Sequence, residues 1–294
     1  MDEETRRKYV EAGRIAKEAR ELAVEMVGPG KKLVDIAERV ESFIREEGGQ
    51  PAFPVNLSLD DDAAHYTPER GDEEEVPEDC VLNVDVGVHV DGYIGDTAVT
   101  VDPSGSHEEL VEASHRALES ALEVVEPGVE LGEVGRVIED EIESMDFKPV
   151  RNLSGHGLGH YTQHTGKSIP NIETSSTETL ERGEAVAIEP FATDGAGKVT
   201  DGRPGNIYRL EDDRARGRMQ RKVLGEVKDR FRTLPFTSRW IDSVPQGRLG
   251  TVIQNLVRSG NLHSYEVLTE EDGGLVSQEE HTVLVEEEPT VTTL

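Results

Sequence analysis

Two segments of this sequence, about one hundred residues apart, are similar to each other. One reads VGPGKKLVDIAERVESFI from Val27, and the other reads VEPGVELGEVGRVIEDEI from Val125. In both, a Pro-Gly pair is followed by apolar residues at i, i+3, i+7 and i+11, the spacing of one stripe along an amphipathic helix. These positions are Leu33, Ile36, Val40 and Ile44 in the first copy and Leu131, Val134, Ile138 and Ile142 in the second.

The flanks of the two segments also match. A further helix-like segment precedes each copy, and the tripeptide Asn-Leu-Ser follows each, at 56–58 and at 152–154. Any two amphipathic helices look somewhat alike, but the matched entry and exit argue against coincidence. The repeat therefore predicts two similar halves of helices and strands, related by approximate internal symmetry, with a cleft between them that can hold a site.

Residues 81–101 predict a β-hairpin, because apolar and polar residues alternate on both sides of an Asp-Gly turn at 91–92. With a two-residue turn, Asp96 lies opposite Gly87, and Asp85 projects from the same face roughly 7–8 Å away at the backbone. Gly87 leaves space between the two carboxylates. Converging carboxylates repel each other unless a proton or a cation lies between them. Two exposed aspartates on an acidic protein are the competing interpretation, which the valine-rich hairpin disfavours.

Two more carboxylates and one histidine extend this candidate site. Glu189 and Glu280 stand at the edges of apolar strands predicted at 185–191 and 281–286, and His156 lies in the glycine-rich sequence SGHGLGH. An isolated histidine of this kind is more often structural than functional. Four carboxylates and one imidazole nevertheless form a hard, oxygen-rich ligand set suited to two divalent ions. Such a pair of ions lowers the pKa of a bridging water and polarises a substrate carbonyl.

Several longer motifs resemble a known family. The spans PAFPVNLS, AAHYTP, VDVGVHVDGYIGDTAVTV, NLSGH, SIPNI, AIEPFAT, TLPF and EHT are similar to type II methionine aminopeptidases, especially archaeal ones. The resemblance covers nearly the whole chain. It implies an α+β pita-bread fold with a pseudo-twofold repeat and a curved, mostly antiparallel sheet. Residues 1–206 and 266–294 would form the catalytic domain, and 207–265 an inserted helical, winged-helix-like subdomain.

The resemblance also implies roles for the metal-binding residues. Asp85 would be a terminal ligand of one metal, and Asp96 and Glu280 would bridge both. His156 and Glu189 would bind the other metal, and Glu189 would also accept or relay a proton. The implied cofactors are two divalent ions of cobalt, manganese, iron or zinc. The implied reaction removes initiator methionine from nascent polypeptides with a small second residue, by attack of a metal-bridging hydroxide.

Substrate-binding residues follow from the same resemblance. His65 would position the substrate and stabilise the transition state, and His164 would contact the scissile peptide. Phe53 and Tyr265 would form walls of the methionine pocket. Gln163 belongs to the pocket region but occupies a position that is usually aliphatic, which leaves the shape of the pocket open.

Glu279 is a second departure from the family pattern. It replaces the aromatic residue that commonly precedes the glutamate ligand, and strand alternation predicts that its side chain turns away from the metals.

Two other functions are compatible with the same fold. A proline-specific peptidase would share the ligands but lack the AAHYTP and NLSGH contexts and the helical insert. A catalytically inactive binding module would have lost ligands, and here all five are present.

The charge balance limits the partners. With 61 acidic and 31 basic residues the formal net charge is −30, which should repel nucleic acid and anionic membranes and suggests a halophilic source. The basic run from Arg209 to Arg232 could still dock on the ribosome, although a solvated arginine-rich face is the simpler interpretation. The lack of long apolar runs or a secretory signal and the single Cys80 predict a cytoplasmic protein, with a monomer expected.

Overall fold

The structure, a computed structural model, describes residues 1–294. Its helices are α1 (Glu3–Met26), α2 (Leu33–Glu46), α3 (Glu108–Val124), α4 (Leu131–Ser144), α5 (Arg218–Arg230) and α6 (Gln246–Arg258), with a short 3-10 helix at Ser238–Trp240. Its strands are β1 (Gln50–Pro51), β2 (Asn56–Leu59), β3 (Asp62–Ala64), β4 (Leu82–Val90), β5 (Tyr93–Val101), β6 (Lys148–Pro149), β7 (Ser154–Leu158), β8 (Ser168–Pro170), β9 (Ala185–Ile188), β10 (Phe191–Thr193), β11 (Val199–Leu210), β12 (Phe236–Thr237), β13 (Leu262–Glu270), β14 (Val276–Gln278), β15 (His281–Leu284) and β16 (Thr290–Val291). All the strand pairings are antiparallel.

The two repeated segments form α2 and α4, in matching positions. Every apolar residue of both predicted stripes is buried. The α2 stripe packs in a core with α1 and strands β2 and β4, and the α4 stripe packs in another with α3 and strands β8 and β9. Full burial of one such side chain stabilises the fold by about 1.5–3 kcal/mol, so the two stripes hold each half together. The predicted two-part organisation is confirmed.

Helix α1 lies close against the hairpin that carries two of the expected ligands. The helix begins after Asp2, whose side chain accepts a hydrogen bond from the Thr5 backbone N–H at 2.8 Å. Gly13 of α1 faces Gly95 of β5 so closely that a Cβ atom on Gly95 would lie 2.6 Å from the Gly13 nitrogen. This close approach requires glycine and leaves no room for a side chain between the helix and the hairpin.

The hairpin has the predicted register. Gly87 pairs with Asp96 and Asp85 with Ala98 across β4 and β5. The turn residues Asp91 and Gly92 both have positive φ, of 50° and 87°, as a type I′ turn requires.

Helices α5 and α6 follow β11 and precede β13 in the chain. They have their own apolar core, which includes Val223, Phe236, Trp240 and Leu256. The expected insert boundaries at 207 and 265 fall within strands, because Ile207 of β11 pairs with Tyr265 of β13. Strand β13 also pairs with β3, so the base of the insert joins the N-terminal half. None of the helices has the length and apolar character needed to cross a membrane.

Candidate metal and substrate site

The five expected metal ligands line one pocket, although they come from separate parts of the chain. They are Asp85 on β4, Asp96 on β5, His156 on β7, Glu189 directly after β9 and Glu280 directly before β15. His156 Nε2 lies 3.8 Å from Asp96 Oδ2 and 3.5 Å from Glu189 Oε1. One ligand atom each of Asp96, His156 and Glu280 lies within 4.8 Å of the other two.

Contacts between the two halves bring the ligands together. Glu280 and Ala98 form a bridge of two backbone hydrogen bonds, of 3.1 and 3.3 Å, which joins the start of β15 to β5. Thr282 Oγ1 then donates to the Asp96 carbonyl and accepts from the Asp96 N–H, both at 2.8 Å. The site therefore lies where the halves meet, as the repeat predicted.

Of the carboxyl groups in this cluster, those of Asp96 and Glu280 are buried and those of Asp85 and Glu189 are largely buried, and no lysine or arginine is paired to any of them. Burial and neighbouring carboxylates raise the pKa values of Asp85, Glu189 and Glu280 well above their ordinary range. Burial raises the pKa of Asp96 to about 7. Both Asp96 carboxyl oxygens and Asp85 Oδ1 are buried without a hydrogen-bond partner. Buried acceptors without partners are rare and costly unless a cation lies among them.

His156 completes a ligand set that fits divalent metal ions. Burial, together with the nearby His164, lowers the pKa of His156 to about 3, so its ring is neutral, as metal coordination requires. Unpartnered carboxylate oxygens and a neutral imidazole are the donors that divalent transition metals accept. The residues present therefore fit the two-metal centre expected from the sequence.

The expected substrate residues line the same pocket. They are Phe53, His65, Gln163, His164 and Tyr265. The ring of His164 lies 4.1 Å, centre to centre, from that of His156, and His65 makes an edge-to-face contact with Tyr265 at 5.3 Å.

The position of Phe53 shows that one detail of the hairpin prediction is wrong. Gly87 was expected to leave open space between the two aspartates, but the Phe53 ring fills it. A Cβ atom on Gly87 would lie 2.0 Å from the ring. The glycine therefore makes room for an aromatic pocket wall, which strand alternation alone could not reveal.

Comparison with known proteins identifies the family. The model of metallopeptidase family M24 matches residues 7–220. The chain belongs to this family. It is 49% identical to a methionine aminopeptidase of Archaeoglobus fulgidus over 98% of this chain and 97% of the relative, and 48% identical to one of Pyrococcus horikoshii over 97% and 98%. The predicted relationship to archaeal methionine aminopeptidases is confirmed.

Solved structures support the fold of this M24 member. A methionine aminopeptidase from Rickettsia prowazekii aligns with a TM-score of 0.73 at 21% identity, over 100% of this chain and 98% of that one. A thermophilic Arx1 aligns with a TM-score of 0.88 at 19% identity, over 99% and 91%. These likenesses confirm the expected α+β pita-bread fold.

Gln278 is a pocket residue that sequence reasoning missed. Its side-chain amide donates long hydrogen bonds to Glu189 Oε2 at 3.5 Å and to Glu280 Oε2 at 3.4 Å. It precedes Glu280 by two residues, so a same-face position along an extended segment was the available signal. The amide orients both carboxylates without adding charge.

The two departures from the family pattern differ in importance. Gln163 lies in the pocket, near enough to Asp96 that its amide opposes the rise in the pKa of that carboxyl. Glu279 does not line the pocket, so the alternation argument is confirmed, but it is buried rather than exposed. Burial raises the pKa of Glu279 to about 8 against the opposing effect of Arg20.

Proposed function

We propose that this protein is a methionyl aminopeptidase that removes the initiator methionine from nascent polypeptides with a small second residue. The observation that carries the proposal is the buried carboxylate cluster without a countercation, at the base of a pocket with an aromatic wall. The membership in a metallopeptidase family supports peptide hydrolysis as the chemistry. The full-length identity to methionine aminopeptidases favours methionine over proline-containing substrates.

Asp85 is proposed as the terminal ligand of one metal, and Asp96 and Glu280 as the bridging ligands. His156 and Glu189 are proposed to hold the second metal, in agreement with their 3.5 Å separation. When bound, the two ions polarise the substrate carbonyl and lower the pKa of a coordinated water. Glu189 is also proposed to accept or relay the proton released from the nucleophile, because its carboxylate lines the same pocket.

The two pocket histidines are proposed to act as neutral rings. Desolvation in the pocket lowers the pKa of His65 to about 4, and it also lowers that of His164, although His164 remains exposed. His65 Nδ1 lies 3.2 Å from the Glu266 carbonyl oxygen, which can only accept, so this nitrogen carries the proton. His65 Nε2 is then an acceptor that can orient a substrate N–H group. His164 supplies the donor that stabilises the developing oxyanion.

The peptide assay is the direct test. Protein stripped with a chelator and reloaded with one metal at a time in high salt is expected to cleave Met-Ala-Ser at least about tenfold faster than Leu-Ala-Ser, because one pocket discriminates side-chain shape. Release of the free amino acid is measured by chromatography. Cleavage without metal, or equal rates on the two peptides, would contradict the proposal.

The cellular setting is proposed from composition. Cobalt, manganese, iron and zinc all suit a carboxylate and imidazole site, so cellular supply decides among them. The single buried cysteine, Cys80, suits the reducing cytoplasm. The excess of acidic over basic residues suits a monomer that stays soluble at high salt.

A second proposal concerns the basic run, which would dock the enzyme on ribosomal RNA near emerging chains. Arg214, Arg216, Arg218 and Arg221 are exposed and form no ion pair, unlike Arg209 and Lys228 of the same run. Arginines without an ion-pair partner bind phosphates of RNA and displace the counterions held there. Their contribution to RNA binding is therefore greatest at low salt.

Charge reversal tests this docking. Replacing the four free arginines by glutamate is expected to lower the ribosome-bound fraction by about tenfold or more in co-sedimentation at low salt. The control reverses two other exposed, unpaired cations, Arg7 and Lys31, and should retain most binding. Unchanged co-sedimentation of the fourfold variant would refute docking through this run.

A further inference from the structure

A buried ion pair joins the helical insert to the N-terminal half. Glu41 of α2 and Arg239 of the 3-10 helix are 2% and 5% exposed. Arg239 Nη1 and Nη2 donate to the two Glu41 carboxylate oxygens at 2.8 and 2.7 Å. Trp240 Nε1 donates to Glu41 Oε2 at 2.6 Å, so the carboxylate is held from two directions.

The same guanidinium also holds the segment that carries a pocket histidine. Arg239 Nε donates to the Pro68 carbonyl at 2.8 Å, and Nη2 donates to Thr67 Oγ1 at 3.0 Å. Asn206 Nδ2 of β11 donates to the same Pro68 carbonyl at 3.1 Å. The side chains of Arg239 and Asn206, at the base of the insert, therefore form hydrogen bonds with the chain within three residues of His65.

His65 needs such support from its surroundings. Its φ is 67°, in the left-handed region that few residues other than glycine adopt. Residues 65–69 belong to no helix or strand. A strained backbone of this kind persists only where neighbouring contacts determine its conformation.

We propose that Arg239, held by Glu41, is a positioning residue that sets the place of His65 in the pocket. The helical insert would then contribute to turnover through this contact, in addition to any binding role. The proposal rests on the proposed aminopeptidase function. It requires arginine, because one planar guanidinium satisfies the Glu41 carboxylate and two acceptors of residues 67–68 at once, which a lysine ammonium cannot do.

Four variants separate positioning from general stability. Thr67→Val removes one acceptor of Arg239 and keeps the ion pair, whereas Thr67→Ser keeps the hydroxyl. Arg239→Lys keeps the positive charge and loses the planar guanidinium that donates to several acceptors at once. Trp240→Phe is the matched control, because it removes a hydrogen bond to Glu41 and leaves every contact to residues 67–68.

The readouts are kcat, KM, Tm and the ring signal of His65 in the NMR spectrum of zinc-loaded, histidine-labelled protein, assigned with a His65→Ala variant. Thr67→Val and Arg239→Lys are expected to lower kcat by about tenfold or more, since small displacements of a reacting group are costly. KM should change less, and the His65 signal should shift. Thr67→Ser should keep kcat and the His65 signal close to those of the unmodified protein. Trp240→Phe should lower Tm and leave kcat and the His65 signal unchanged.

Two results would overturn the proposal. One is a kcat for Thr67→Val within twofold of that of Trp240→Phe together with an unmoved His65 signal. The other is an equal loss of activity in Trp240→Phe, which would reduce Arg239 to a stabilising role. If the unmodified protein fails to cleave Met-Ala-Ser, the proposed function fails, while the shift of the His65 signal still decides whether Arg239 positions the ring.

Discussion

Glu280→Gln is expected to lower kcat/KM on Met-Ala-Ser by about 1,000-fold or more and to leave the metal-free protein as stable as before, or more so. The loss follows from removal of a proposed bridging ligand, which weakens Lewis-acid activation worth several kcal/mol. The gain in stability follows from the electrostatics, because the metal-free fold must otherwise hold Glu280 protonated against its ordinary pKa, a cost that a neutral amide of the same shape removes. Asp96→Asn should behave in the same way.

Glu279→Gln is the matched control, because it makes the same chemical change one residue away. Glu279 is also buried but lies outside the pocket, so its variant should keep nearly full activity and metal content. Metal stoichiometry by calorimetry, kcat/KM and the metal-free Tm complete the test. Full activity or two tightly bound metals in Glu280→Gln would contradict the bridging assignment.

The part of the site that could be predicted from the sequence depends on local rules. The Asp-Gly turn determines the hairpin register, and that register places Asp85 and Asp96 on one face. The spacing of apolar residues in the repeat likewise predicts which sides of α2 and α4 are buried. Both rules involve short separations along the chain, where geometry follows directly from residue type.

The remaining features depend on contacts between distant segments, which no local pattern encodes. Glu280 reaches the aspartates because it pairs with Ala98, about 180 residues earlier, and the family resemblance rather than spacing identified it. The position of Phe53 over Gly87 and the Arg239 contact with Glu41 arise in the same way. Arg239 carries no sequence signal of a role, since its partners lie on α2 and in an irregular loop.

Removal of the metals is expected to make the stability of the protein fall as the pH rises from 7.5 to 8.5. In the metal-free fold the pKa of Asp96 is raised from 3.8 to about 7, and those of Asp85, Glu189 and Glu280 are raised well above their usual values. The folded state therefore holds protons that the unfolded chain has already released. Groups of this kind stabilise the fold at low pH, and that stabilisation is lost as the pH rises through their folded pKa values.

The buried histidines restrict where this effect can be seen. Burial lowers the pKa values of His65 and His89 to about 4 and those of His156 and His281 to about 3. Below about pH 7.5 the unfolded chain takes up protons at these rings, so their contribution to stability falls with decreasing pH and opposes that of the carboxyls. Above about pH 7.5 the histidines are largely neutral in both states, and the carboxyls with raised pKa values, including that of Glu279, determine the slope.

Urea unfolding at constant ionic strength measures the slope directly. Each carboxyl that stays protonated in the fold contributes about 1.4 kcal/mol per pH unit, so metal-free protein should lose stability steeply. Metal-loaded protein should show a much flatter profile, because bound ions keep the ligands ionised in the folded state. Metal-free Glu280→Gln should fall between the two, since one titrating group is gone. Equal slopes with and without metal would mean that the carboxyl cluster is not the metal site.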